Sequence, residues 1–292
     1  MKQPRTQRRT ASLAHTRADR SNRSGVIPED YKTAGFALGC QAWTFKKFSL
    51  LEAIWQTSEA GVKVIELYPG QRFSAAKPDI KFDHQVGKDI IAAVDTELKK
   101  SGVRAVNYGV VKIPEDEDGA REIFEFAKEL RLYAITTESI EAIDVIEKLA
   151  KEYDLRVGFH NHPRLPLNPF YKNWDPNHVL SVVQDRDRRL GAAADTGHWL
   201  RSGLDPLNCL KILDGRIVSV HLKDLNRKSL VAQDVPFGTG IAGIAAILSE
   251  LKRQRFEGNV SIEYERHWKN NLDEVARCVR FVRDGETEPP SN

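Results

Sequence analysis

The chain has 292 residues, 41% hydrophobic and 29% charged, which is enough apolar material for one large core. No apolar run approaches the roughly 18 residues that a membrane-spanning helix needs, so a soluble protein without a membrane partner is expected. The net charge of +3 is uneven: residues 1–24 hold seven Lys/Arg against one acid, Asp19, so of 44 bases and 41 acids the body keeps 37 and 40, and a body of that sign excludes general attraction to nucleic acid.

The N-terminal tail is rich in Arg, Ser and Thr with almost no hydrophobes, which predicts disorder. It lacks the apolar h-region of a secretory signal, while an organellar transit segment or a start codon placed too early also fits its composition. A cytoplasmic location is expected. Cys40, Cys209 and Cys278 are odd in number and far apart, so they read as buried thiols in a reducing compartment. The chain divides into a basic tail (1–30), one globular unit (31–285) and a short C-terminal tail (286–292).

From residue 35 one pattern repeats: a short apolar strand, a polar loop, then an amphipathic helix. Strand one (35–42) precedes a helix at 49–60, and strand two (62–68) a helix at 88–100. Strand three (103–110) leads to 118–131 and strand four (132–138) to 139–153. Strand five (156–162) runs through Pro163, Pro166 and Pro169 to a helix at 176–184. Strand six begins at Gly191 as a run of small residues and ends abruptly in Asp195-Thr196-Gly197-His198-Trp199, with a helix at 206–214. Its simplest reading is a strand followed by a polar turn, with Asp195 capping the next helix. Strand seven (217–223) precedes a helix at 241–253, and strand eight (260–265) one at 272–283. Eight such units in about 250 residues have the count and size of a single (β/α)8 TIM barrel, with a doubly wound open sheet as the alternative. The polar residues gather at many strand ends rather than at one switch point, which favours the barrel.

Strand four ends in Glu138, strand six in Asp195, strand seven in His221 and strand eight in Glu263. In strand seven Ser219, His221 and Lys223 alternate with Val218, Val220 and Leu222, and in strand eight Ser261, Glu263 and Glu265 alternate with Ile262 and Tyr264. The period of two sends the polar set into the barrel mouth and the apolar set towards the helices. Taken singly, each residue is more often a structural hydrogen bonder than a ligand. Three carboxylates and an imidazole cannot share a buried site as free charges, and a divalent cation resolves the conflict. The oxygen-rich set with one imidazole suits Mn²⁺, Mg²⁺ or Co²⁺, and Zn²⁺ is also accommodated. His160 and His162 at strand five and His198 after strand six add imidazoles, and His162, nearer the mouth, is the better substrate contact. Lys223 is placed to neutralise an enolate oxygen, or else forms a rim salt bridge with Glu66 at the end of strand two. Arg164 and Arg201 lie just beyond strands five and six, where they reach sugar hydroxyls or a phosphate.

With these residues in place the chain resembles the sugar phosphate isomerase/epimerase group of the xylose isomerase-like TIM-barrel superfamily, over roughly residues 35–283. The matching pieces are Gly39-Cys-Gln-Ala-Trp-Thr-Phe45, Glu66-Leu-Tyr-Pro-Gly70, Phe159-His-Asn-His-Pro163, Ala194-Asp-Thr-Gly-His-Trp199, Val220-His-Leu-Lys-Asp224 and Ile262-Glu-Tyr-Glu265. The resemblance implies one divalent metal ion held by Glu138, Asp195, His221 and Glu263, with Glu138 and Glu263 doubling as acid/base residues. It places Trp43, His162, His198 and Lys223 around a small sugar substrate, and Glu66 and Arg201 are expected to contact the substrate beside them. The implied activity is isomerisation or epimerisation by proton abstraction next to a keto-sugar carbonyl. Its alternatives are elimination of the aglycone from a 3-keto-glycoside and, without turnover, a metal-dependent sugar-binding module. Homo-oligomers are expected by fold analogy only.

The DNA-repair endonucleases of the same superfamily require further histidines where this chain reads Glu66-Leu-Tyr68, Asn107-Tyr-Gly109 and Asp234-Val-Pro236. Residues 238–243, Gly-Thr-Gly-Ile-Ala-Gly, fit G-x-G-x-x-G, but no buried strand precedes them. They read as a tight loop whose amides reach a substrate oxygen.

Overall fold

The computed structural model describes residues 26–285. Eight parallel strands close into a barrel: β1 (Ala37–Gln41), β2 (Val64–Leu67), β3 (Arg104–Tyr108), β4 (Ala134–Thr137), β5 (Arg156–His160), β6 (Leu190–Asp195), β7 (Ile217–Leu222) and β8 (Asn259–Ile262). Closure comes from β8 pairing with β1, Leu38 opposite Val260 and Cys40 opposite Ile262. The fold is therefore a TIM barrel, and the open sheet is excluded.

The helices are α1 (Leu50–Glu59), α2 (Lys88–Ser101), α3 (Glu117–Glu129), α4 (Ile143–Tyr153), α5 (Pro176–Val183), α6 (Thr196–Arg201), α7 (Pro206–Ile212), α8 (Ile244–Arg253) and α9 (Leu272–Asp284). In α3, Ala120, Ile123, Phe124 and Ala127 recur at helical spacing and are buried against the barrel, and Asp116 caps the helix by accepting from the Gly119 amide at 2.9 Å. In α1, Ser49 and Glu52 form a reciprocal capping box. The main apolar core fills the space between strands and helices, and all three cysteines are buried within it.

The barrel interior is divided along its axis. At the N-terminal end Ile27 packs with Ala37, Val64, Val106, Ala134 and Val218 in a small apolar plug. Ile27 is only 2% exposed, so the globular unit begins at least four residues before the expected boundary at 31. The rest of the 1–30 tail, residues 1–25, and the 286–292 tail lie outside the described residues. Above the plug the interior turns polar: Asn107 donates to Thr136 Oγ1 at 2.9 Å, and Ser261 Oγ and Asn259 Nδ2 donate to Glu66 Oε2 at 2.8 and 3.2 Å.

Three local features depart from the sequence reading. The stretch after β6 is a six-residue helix, α6, rather than only a turn. Two small hairpins, Gln71–Arg72 with Lys81–Phe82 and Asp224–Leu225 with Asp234–Val235, decorate the mouth. The glycine-rich 238–243 loop folds around Asp224, whose carboxylate accepts the amides of Gly238, Gly240 and Ala242, each at 2.9 Å. Those amides are consumed within the protein, which corrects the expectation that they meet a substrate oxygen. Among the described residues no helix is long and apolar enough to cross a membrane.

Candidate active site

Asp195 ends β6 with both carboxylate oxygens committed to different tasks. Oδ1 accepts the His198 amide at 2.7 Å and caps α6. Oδ2 faces the barrel axis, 3.2 Å from Lys223 Nζ, 3.6 Å from His198 Nε2 and 3.8 Å from both His160 Nε2 and His221 Nδ1. One side chain therefore both caps α6 and contributes an oxygen to the buried cluster. Asn161 steadies this strand end by exchanging two hydrogen bonds with the Asp195 backbone.

β7 and β8 supply the neighbours that their alternation requires. Glu263 Oε2 lies 3.4 Å from His221 Nδ1 and 2.7 Å from Lys223 Nζ. Asp195, His221 and Glu263 each offer one ligand atom within 4.8 Å of the others, and all three residues are buried. Three of the four residues implied as ligands are thus brought together.

Glu138 is not in that cluster. Its Oε1 meets His162 Nδ1 at 2.6 Å, the Tyr171 hydroxyl at 2.8 Å and His160 Nδ1 at 3.3 Å, and its ligand-distance group is with His160 and His162. The His160 ring stands between Glu138 and Asp195.

Glu66 is fully buried below the mouth, where its Oε2 lies 3.0 Å from His221 Nε2. It is not at the rim, and Lys223 instead pairs with Glu265 Oε2 at 2.7 Å. Arg201 is held by Asp234 at 2.8 Å, and its Nη1 lies 3.3 Å from His198 Nδ1. It reaches the site through Asp234, Glu265 and His198 rather than from the cavity wall. Arg164 stacks on Trp174 away from the cluster.

Above the cluster lies a cavity of about 290 Å³ lined by Trp43, Tyr68, His160, His162, His198, Glu263 and Glu265, among others. Trp43 donates its indole N–H to Glu265 Oε1 at 3.1 Å and meets Tyr68 edge to face, centroids 5.1 Å apart. Trp43, His162 and His198 all line this cavity. Tyr68, Glu265 and His160 join them. Glu265 and His160 were legible as inward positions on strands eight and five, one step along the same alternation.

Electrostatics bind the cluster together. Burial opposes ionisation of Asp195, but the Lys223 ammonium and His160 outweigh it and hold the carboxyl well below its ordinary range. Burial likewise opposes charge on Glu263, and Lys223 and His221 overcome it. For His221 the carboxylates of Glu66 and Glu263 overcome burial and favour the imidazolium. His198 goes the other way: burial, reinforced by Lys223 and the neighbouring histidines, keeps its ring neutral.

The donor set fits a divalent cation. Asp195 Oδ2, His160 Nε2 and His221 Nδ1 are buried without a hydrogen-bond partner among the described residues, and they point at one another. Buried polar atoms left in that condition are costly unless a charge sits among them. Lys223 supplies one such charge from the side.

The model of the xylose isomerase-like TIM barrel matches residues 56–284. Among curated proteins none matches. Among solved structures, an uncharacterised protein from Parabacteroides distasonis is 31% identical, with 86% of this chain and 100% of that one covered and a TM-score of 0.69. A D-allulose 3-epimerase from Methylomonas sp. is 14% identical over 90% and 99% of the two chains, TM-score 0.65. An L-ribulose 3-epimerase is 15% identical over 85% and 93%, TM-score 0.62. The two epimerases share the fold, while the matched model spans most of this sequence. The chain belongs to the xylose isomerase-like TIM barrel family.

Proposed function

We propose that the protein is a divalent-metal-dependent sugar isomerase or epimerase that removes the proton next to a keto-sugar carbonyl. The observation that carries this reading is the convergence of Asp195, His221 and Glu263 at the floor of an aromatic-walled cavity. The names of the two epimerase neighbours, which refer to the 3-position of ketoses, support the same substrate class. Mn²⁺, Mg²⁺ or Co²⁺ suits the donor set. When bound, the cation would supply Lewis-acid polarisation of the substrate carbonyl and a neighbouring hydroxyl.

The remaining work belongs to the chain. Glu263 is ionised, lines the cavity and accepts the substrate proton. On the other side His162 lines the cavity with its Nδ1 against Glu138, so its Nε2 faces outwards. Glu138 therefore acts through His162, and the two glutamates form an acid/base pair with one imidazole interposed. Lys223 and neutral His198 stabilise negative charge on the substrate oxygen as it develops. Trp43 and Tyr68 pack against the sugar.

The test is an NMR time course in D₂O with Mn²⁺ or Co²⁺ and a panel of ketohexoses and 3-keto-glucosides. Deuterium entering next to the carbonyl with the carbon skeleton intact supports the reading, and Glu263→Gln should lower that rate by at least about a hundredfold. Release of an aglycone would instead make the protein a lyase. Metal uptake without exchange on any member of the panel would favour a sugar-binding module or a substrate outside this class.

A further inference from the structure

His221 and His160 have matching surroundings. At His221, Glu66 faces Nε2 at 3.0 Å, and Nδ1 points to Asp195 Oδ2 at 3.8 Å. At His160, Glu138 faces Nδ1 at 3.3 Å, and Nε2 points to the same Asp195 oxygen, also at 3.8 Å. Both rings are at least 98% buried, and His160 Nε2 and both nitrogens of His221 lack a hydrogen-bond partner among the described residues. A carboxylate accepts but does not donate: Glu138 takes the Nδ1 proton of His160, and Glu66 stands 3.0 Å from His221 Nε2 to take its proton, so the inner nitrogen of each ring is the one free to give up its proton and coordinate. Two inner imidazole nitrogens 3.8 Å from one carboxylate oxygen make a donor set that a cation completes. A carboxylate behind an imidazole whose other nitrogen meets a metal is the usual way such a ligand is oriented.

We infer that His160, not Glu138, is the fourth ligand of the proposed metal site, which is then His160, Asp195, His221 and Glu263. Glu138 stands to His160 as Glu66 stands to His221. The spacings of 3.4–3.8 Å from Asp195 Oδ2 and Glu263 Oε2 to these nitrogens suit neighbouring donors about 2.1 Å from one ion. His198 is not a ligand: its Nδ1 accepts from Arg201, a group that can only donate, so Nε2 carries the proton. Lys223 Nζ touches Asp195 Oδ2 and Glu263 Oε2 and must withdraw to Glu265 when the ion enters. The consequence is a site with two imidazoles and two carboxylates, softer than one with three carboxylates, which shifts preference towards Co²⁺ and Zn²⁺ over Mg²⁺.

This inference rests on the metal-dependent reading above, and the experiment separates the two. The full-length protein is titrated with Co²⁺ alone, without substrate, and followed by calorimetry and by proton NMR of the paramagnetic complex. Each coordinated imidazole gives one strongly shifted, solvent-exchangeable N–H signal. Wild type should show two. His160→Gln should lose one and bind Co²⁺ at least about tenfold more weakly, whereas Glu138→Gln, whose amide oxygen still accepts from His160, should keep both. One signal in wild type, or two in His160→Gln, overturns the assignment of His160 while the metal reading stands. Wild type that binds no Co²⁺, Mn²⁺ or Zn²⁺ overturns both. A single wild-type signal overturns the assignment even if the variant does not fold.

Discussion

Lys223 Nζ lies 2.7 Å from Oε2 of both Glu263 and Glu265 and 3.2 Å from Asp195 Oδ2, so one buried ammonium serves three carboxylates. It takes up two oxygens that the proposed cation would also require. Lys223→Met should therefore have opposite effects on the metal-free and metal-loaded protein. Without metal, uncompensated carboxylates should cost about 3–5 kcal/mol. With saturating Mn²⁺ the competing charge is gone, and the gain in Tm should exceed that of wild type. Thermal melts of both proteins with and without Mn²⁺ measure this, and an equal gain would show that ammonium and cation do not compete.

Gly39 on β1 allows the barrel to close tightly. A Cβ at this position would lie 2.1 Å from the Val64 carbonyl oxygen and 2.5 Å from its Cγ2, so neither a rotamer change nor a small shift accommodates it. Gly39→Ala should force β1 away from β2 and destabilise by about 3 kcal/mol or more. Urea unfolding of the variant tests this, and a loss below about 1 kcal/mol would mean that the strands separate freely.

Much of the barrel and part of the site were legible because they depend on short-range pattern. Ser219, His221 and Lys223, and Ser261, Glu263 and Glu265, lie inward as their period of two requires. Asp195 was readable as either a cap or a site residue because one of its oxygens caps α6 and the other faces the buried cluster. Closure of β1 on β8 was inferred from the count of units, since it joins residues at opposite ends of the barrel sequence. Glu138 was harder: it follows the last residue of β4, and its direction is set by imidazoles from β5 and the Tyr171 hydroxyl. Glu66 was misplaced for the same reason, because its partners Ser261, Asn259 and His221 come from β7 and β8. The two-residue strands of the mouth hairpins are too short to carry periodicity at all.

Trp43 separates binding from chemistry. Its ring has Lys46 Nζ 4.1 Å from its centroid and Tyr68 against its edge, and it borders the cavity. An aromatic wall contributes nearly equally to ground state and transition state. Trp43→Ala should raise KM for the active sugar about tenfold, with kcat changed less than about threefold. A matching fall in kcat would instead assign Trp43 to catalysis, acting through its hydrogen bond to Glu265.

Asp234 should make stability depend on pH in a window of its own. Burial pushes its carboxyl up to about 6, with Lys223 and Arg201 pulling the other way. Arg201 is 2.8 Å away and stays charged throughout, so the balance is struck on the carboxyl. A carboxyl whose folded pKa is raised holds its proton in the folded state where the unfolded chain, near pH 4, has released it. Stability therefore falls as pH rises from about 4 to about 6, by about 3 kcal/mol in all, and stays lower above that. Asp234→Asn carries no proton to lose. The stability of wild type minus that of the variant, from urea unfolding between pH 4 and pH 8, should drop across this window and then level off. A flat difference would mean that Arg201 keeps the carboxylate ionised throughout.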